Sequence, residues 1–247
     1  MNNTLNFRDC GACPTTNGNK VKTGLLFRSA SLDRLSRKNR AMVQSKNLST
    51  IIDLRPANER PSRTAPLPGI RRITIPLDID RIARKRILPY VFKRNGAVAV
   101  GNAINSVYFD IVALVPHAVR ELFAPLSDTE TYPLCINCRA GKDRTGYAIA
   151  LILRTLGVAD SVIITDYLRT NDFILPRLRR FTRPLQFATF GLLPAETMEE
   201  SMTAHARYLQ TAFARIDNNY GGIDEYLDFC GVPRQRRERL RGILLLR

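Results

Sequence analysis

Tyr132 to Gly146 reads YPLCINCRAGKDRTG. Tyr132 to Asn137 is a short apolar run and reads as a strand. Tyr147 to Leu156 is apolar nearly all round, with Gly157 as a natural stop, and reads as a buried helix. Cys138 to Arg144 must then form a tight loop from a strand end to a helix start. Such a loop turns backbone N–H groups inward, and the helix N-terminus behind it completes an anion nest. Ala140 and Gly141 are small enough to let backbone come close to a phosphate. Arg144 offers a planar fork of donors to two phosphoryl oxygens, and Arg139 and Lys142 add positive charge.

Cys138 opens this loop. A thiol beside a helix N-terminus and cationic side chains favours its thiolate, the nucleophilic form. The expected chemistry is in-line attack by Cys138 on phosphorus. Thr145 is expected to donate to that thiolate or to help a phosphocysteine break down. Asp143 is expected to protonate the leaving oxygen and later to activate water. Asp53 is the alternative acid, with a competing role of holding Arg55 or Arg28; Asp143 is preferred on its nearness in sequence. Asp78 and Asp80 are outside candidates. The nucleotide-binding P-loop is excluded, because Gly141-Lys142 is followed by Asp143 and no Gly stands five residues before Gly141.

Working outward, Val21 to Arg28 and Arg72 to Leu77 read as strands, as does Ser49 to Leu54, which is stopped by Pro56. Leu32 to Lys46 reads as an exposed helix capped by Ser31. Asn102 to Phe123 reads as a helix kinked at Pro116. Between Asp78 and Gly101 the pattern fails, with Pro89 and Gly96 as breakers, and a lid or helical insertion is expected. Strands alternating with helices predict an α/β fold, a central mostly parallel sheet flanked by helices, with the ligand site beyond the strands' carboxyl ends. No repeat or linker divides the 247 residues, so a single domain over 1–247 is expected.

Hydrophobic residues make up 45% and charged residues 24%, an ordinary soluble balance. The formal net charge of +16 should attract anions. Basic runs stand at Arg81, Arg84, Lys85 and Arg86; at Arg177, Arg179, Arg180 and Arg183; and from Arg234 to Arg241. They read either as solvated helix faces or as an acidic-membrane or polyanion surface. Sparse aromatic interleaving ranks nucleic acid below lipid. Five cysteines, an odd number, favour free thiols over a disulfide scaffold. Cys10-x-x-Cys13 and Cys135-x-x-Cys138 have the spacing of redox pairs or of zinc ligands, but Cys135 falls on an apolar strand and reads as a buried thiol. A Cys135–Cys138 disulfide shielding the nucleophile is a further reading. His117 and His205 are isolated, so no metal cluster or Ser-His-Asp set is assembled. No cofactor or metal is expected. The chain lacks a cleavable-signal pattern, and no apolar run is read as a bilayer span. A cytoplasmic location, or export without a cleavable signal, follows as the expectation.

The Cys138 loop resembles the signature loop of cysteine-dependent protein-tyrosine and dual-specificity phosphatases, and more narrowly that of bacterial atypical members carrying Cys, Lys and Asp together. Asn6-Phe7-Arg8-Asp9 with Gly11, Leu26 to Ala30, and Ile52 to Arg55 resemble that family's earlier motifs in order. Gly157-Val158 through Asp166-Tyr167, and Tyr220 to Ile223, resemble later ones. The resemblance implies a protein-tyrosine-phosphatase-like fold and a phosphocysteine mechanism. It implies Cys138 as nucleophile, Arg144 as phosphate ligand, Lys142 in support and Asp143 as acid. Substrates would be phosphotyrosine, sometimes phosphoserine or phosphothreonine, and phosphoinositides, which Arg139 and Lys142 favour. The family's usual His before the nucleophile is Asn137 here, which can still fix the loop by hydrogen bonds but cannot carry charge; a higher optimum pH is expected. Two rival readings are a phosphate- or lipid-binding module that turns over poorly, and an RNA 5′-phosphatase.

Overall fold

The computed structural model describes residues 5–61, 67–93, 95–189 and 194–246. Its strands are β1 (Arg8–Asp9), β2 (Lys20–Val21), β3 (Leu26–Ser29), β4 (Thr50–Asp53), β5 (Arg71–Thr74), β6 (Leu134–Asn137) and β7 (Leu245–Leu246). A five-stranded sheet runs β1-β3-β6-β4-β5, and β2 and β7 form a separate two-stranded ribbon. β3, β6, β4 and β5 are mutually parallel, and β1 alone is antiparallel, against β3. Asp53 pairs in register with Asn137, and Asn137 with Ser29, so three strand ends finish level under one loop.

The helices are α1 (Arg37–Gln44), α2 (Asp80–Val91), α3 (Ala97–Leu114), α4 (Pro116–Leu126), α5 (Asp143–Thr155) and α6 (Asp160–Leu168). They continue with α7 (Asn171–Ala188), α8 (Ala195–Met202), α9 (Ala206–Tyr220), α10 (Ile223–Phe229) and α11 (Arg234–Leu244). Alternate strand residues feed opposite layers, as a pleat with period two requires. Leu26, Ile52 and Ile136 pack into the larger apolar cluster with α3, α5 and α9. Phe27, Ile51 and Cys135 pack into a smaller one with Leu32, Val43 and Leu48. The architecture is α/β with a mostly parallel central sheet flanked by helices.

Several local expectations are corrected. The segment 21–28 is two strands, split where Gly24 takes φ +79. α1 begins at Arg37, not at Leu32: Ser36, whose Oγ accepts from Asn39 N at 3.3 Å, is the cap. Ser31 instead donates to Asp33. Pro116 does not kink a helix; α3 ends at Leu114, Val115 separates the two helices, and Pro116 is the first residue of α4, where a missing N–H costs nothing. Within 78–101 the pattern does not fail as expected: α2 spans Asp80–Val91 and α3 begins at Ala97, in keeping with the helical-insertion reading. Ile82, Ala83, Ile87 and Val91 of α2 pack on the main core, and the helix runs only two residues past Pro89 before it stops. α3 has the length and mean hydropathy, 1.5 over 18 residues, that a membrane span needs by composition. It is used here as a core helix, burying Val100, Ile104, Val107, Ile111 and Val112.

Candidate active site

The loop from Cys138 to Lys142 leaves the carboxyl end of β6 and runs into α5. Cys138 is 3% exposed, and its Sγ accepts the Gly141 N–H at 3.2 Å. Gly141 has φ +67, a conformation side chains rarely adopt, and a Cβ there would sit 2.6 Å from the Ser29 carbonyl oxygen. Only glycine lets the loop close this tightly over β3.

The loop is held from beneath by residues far apart in the chain. Asn6 Nδ2 donates to the Gly141 carbonyl at 3.0 Å, and Arg28 Nη2 donates to the same oxygen at 2.8 Å. Arg28 Nη1 and Arg8 Nε both reach the Asp166 carboxylate at 2.7 Å. Burial alone would raise the Asp166 pKa, but Arg28 and Arg8 overcome it and hold the carboxyl below its ordinary range. Arg8 also bonds Asn6 Oδ1. Four motif positions separated in sequence thus form one scaffold under the loop.

Above the loop lies a cavity of about 360 Å³. Ile79 just before α2, Ala83 of α2, and Ile104 and Val107 of α3 give it an apolar wall. Cys138, Arg139, Asp143 and Arg144 line the rest together with Lys142 and Ala140. Asp143, half-buried, opens α5 and accepts from Tyr108 Oη at 3.0 Å; Tyr108 in turn shares a 2.8 Å hydrogen bond with Tyr167 Oη. Burial, then the Asp143 charge, pushes both phenols well above their ordinary pKa, so they stay protonated donors. Arg144 is gripped by both carboxylate oxygens of Glu59, at 2.9 and 2.7 Å. Burial would lower its pKa, but Glu59 and the charge of Cys138 raise it, so the cation persists. Arg139 is exposed at the rim.

The cavity gathers every loop residue singled out in the sequence except Gly141 and Thr145. Three expectations about them change. Lys142 Nζ is turned to the carbonyls of Ser201 (3.1 Å) and Thr203 (3.4 Å), with Asp143 at 3.5 Å; it ties the loop to the end of α8. Thr145 Oγ1 is buried without a hydrogen-bond partner among the described residues and does not donate to Cys138. Asn137 was expected to fix the loop by hydrogen bonds, yet its Oδ1 and Nδ2 are likewise unpartnered.

Asp53 is fully buried and does not line the cavity. Its carboxylate accepts from Arg55 Nη2 at 2.7 Å and from Arg72 Nη1 at 3.0 Å. That is the holding role weighed against acid catalysis, with Arg55 and not Arg28 as partner. Asp78 is exposed, and the side chain of Asp80 lies outside the described residues. Cys135 packs in the other core layer from Cys138, its Sγ 3.3 Å from Ser29 Oγ, and burial pushes its pKa up to about 12. Two thiols on opposite sides of a sheet are poorly placed for a disulfide. No group of three or more His, Cys, Asp or Glu side chains converges as a metal site among the described residues.

Glu59, Tyr108 and the Asn6–Arg8–Arg28–Asp166 scaffold were not assigned roles from sequence. The last four lie inside motifs quoted above for their order alone. Glu59 and Tyr108 carry no local signal, since each matters through a contact with a distant residue.

Comparison with known proteins agrees along the whole chain. The model of a tyrosine phosphatase family matches residues 1–246. Triple specificity protein phosphatase PtpB of Mycobacterium tuberculosis is 29% identical over an alignment of 286 residues, covering 97% of this chain and 96% of its own. A tyrosine-protein phosphatase of Nostoc commune is 21% identical over 236 residues, covering 94% of this chain and 78% of its own. The core catalytic domain of the PP-IP phosphatase SIW14 from S. cerevisiae, solved with citrate, covers 72% of this chain and 96% of its own. It does so at a TM-score of 0.37 and 16% identity, a likeness on which nothing below rests.

Proposed function

We propose from one premise, that this chain belongs to the tyrosine phosphatase family, the following reading: it is a phosphatase in which Cys138 is the nucleophile, Arg144 the phosphoryl ligand and Asp143 the general acid. The observation that carries it is the placement of these three side chains in the wall of one cavity at the start of α5. The Cys138 thiolate attacks phosphorus in line, and the S–P bond forms as the ester P–O bond breaks. Asp143 gives its proton to the departing oxygen; Tyr108, hydrogen-bonded to that carboxyl, fixes its direction. Arg144, oriented by Glu59, and the inward N–H groups of the loop, Ala140 and Gly141 among them, stabilise the charge spread over the equatorial oxygens. Asp143 then takes a proton from water, which attacks the phosphocysteine, releases phosphate and returns the thiolate. No residue here is asked to bind a metal.

Phosphotyrosine is the default substrate, because the wall of Ile79, Ala83, Ile104 and Val107 suits an aryl ring. Phosphoserine, phosphothreonine and phosphoinositides follow as further substrates. The exposed cation of Arg139 at the rim supports them, as does a relative named for triple specificity. An acidic membrane surface is the partner that lipid substrates would require.

The test is phosphate release with a chelator present, from a phosphotyrosine peptide, a phosphoinositide panel and 5′-triphosphate RNA side by side. Turnover on the peptide is expected. Asp143→Asn should slow it by roughly 10²- to 10³-fold, and much less for an aryl phosphate whose leaving group needs no proton. Turnover abolished by the chelator, or equal loss on both leaving groups, would overturn the assignment. Hydrolysis confined to RNA would select the 5′-phosphatase reading.

A further inference from the structure

We propose that the outer face of α7 docks onto an acidic lipid surface and holds the mouth of the catalytic cavity against it. At the helical period, Arg177, Arg180, Phe181, Arg183, Pro184 and Phe187 fall on one side of α7, and all six are exposed. Phe181 is 76% and Phe187 89% exposed. The other side, with Ile174 and Leu178 half-buried and Thr182 buried, packs inward. Arg179 also turns inward, onto Glu199.

Part of the charge in the other basic runs is already paired. Arg86 is paired with Asp110, Arg234 with Glu238, and Arg237 and Arg241 with Asp224. Among the described residues, Arg180 and Arg183 form no ion pair with a carboxylate, and the Arg183 charge reaches Glu199 only at longer range. Two nearly naked phenyl rings between arginines are costly in water, and they suit the boundary between lipid headgroups and acyl chains.

The face is also joined to the site. Phe181 and Arg177 line a groove of about 220 Å³ with Arg139 and Ala140 of the catalytic loop. Arg84 of α2 meets Arg177 and Arg139 in a second, larger groove. Docking by α7 therefore brings anionic headgroups to the rim of the Cys138 cavity. Faster hydrolysis of lipid phosphate on a surface than in solution rests on the catalytic reading above; docking itself does not.

The test is flotation of the full chain with vesicles of phosphatidylcholine alone, or of three parts phosphatidylcholine to one part phosphatidylserine. Binding is expected to the anionic vesicles only, and to weaken with added salt. Arg180→Gln with Arg183→Gln should weaken it about 30-fold, from ~1 kcal/mol for each basic residue near an anionic surface. Phe187→Ser should weaken it about tenfold. Hydrolysis of a soluble phosphopeptide should not change in either variant. Absence of binding, or Phe187→Ser binding as wild type does, would overturn the proposal; the latter would point to a polyanion held by charge alone. So would a dimer in light scattering that Phe187→Ser dissolves, which would make the face a contact between copies of this chain. Vesicle binding by Cys138→Ser protein keeps docking and catalysis distinguishable, since docking should survive the loss of turnover.

Discussion

Cys138→Ser is expected to lower phosphate release by roughly 10⁴-fold or more while leaving the protein folded and able to bind phosphate. The fold should tolerate the change because serine is nearly the same shape, and the Gly141 N–H that points at Sγ at 3.2 Å can point at Oγ instead. Activity should not tolerate it, because a hydroxyl needs a base to become a nucleophile, and Asp143, the carboxylate lining the cavity, must carry a proton for the leaving oxygen in that same step. Asn137 and Thr145, the polar residues buried nearest in sequence, are not bases at neutral pH. The measurement is phosphate release under saturating phosphopeptide, paired with calorimetric binding of inorganic phosphate. Retained turnover in the serine variant would place the nucleophile elsewhere. Phosphate binding by wild type without turnover would move the protein to the binding-module reading, with Asn137→His as the first reversion to make.

What sequence alone could reach depended on whether a role is local. The β6–loop–α5 unit was legible because its signals are contiguous: an apolar run, small residues at 140 and 141, and an apolar helix closed by Gly157. The parallel strands β4 and β5 were legible from β-branched runs bounded by proline or charge. α2 was hidden because Pro89 reads as a breaker, although Ile82, Ala83, Ile87 and Val91 already repeat at helical spacing. The helix starting at Ser36 and not Ser31 turns on a competition the chain does not announce. Asp33 draws Ser31 and Arg55 into an ion-paired cluster and keeps that stretch out of the helix. In the site, the chemistry-bearing residues lie within seven positions of each other, whereas what orients them does not. Glu59 acts on Arg144 across 85 positions, and Tyr108 on Asp143 across 35. The unpartnered Asn137 is the reverse case: its type suggested hydrogen bonding, and only the fold shows its amide left without any among the described residues.

Asp166→Asn is expected to be the most destabilising single change outside the apolar core, by about 3–5 kcal/mol. The side chains of Arg8 and Arg28 are 6% and 1% exposed, and their guanidinium groups share this one carboxylate. Removing its charge leaves two buried cations beside each other, where burial and then the Arg28 charge already lower the Arg8 pKa. For a chain of this length that corresponds to a fall in Tm of roughly 10 °C. The pH dependence has a definite sign. The folded carboxyl of Asp166 sits below its unfolded value, so its contribution is fully present above ~pH 3.9 and is lost as pH falls through the depressed value. Wild type should therefore shed stability under acid that the Asn variant never had, and the two denaturation curves should converge as pH drops. Asp33, lowered by Arg55 in the same direction, titrates in both proteins and cancels in the difference. The loss should reach the active site too, because Arg28 carries the Gly141 carbonyl at 2.8 Å while Asp166 holds Arg28. At a temperature where the variant is fully folded, kcat should still fall, and Asp166→Glu should recover part of it. Denaturant unfolding of the two proteins across acid and neutral pH decides the matter. A difference that stays below about 1 kcal/mol, small beside the penalty for a buried unpaired charge, or that does not shrink in acid, would mean the two arginines are held by something other than this carboxylate.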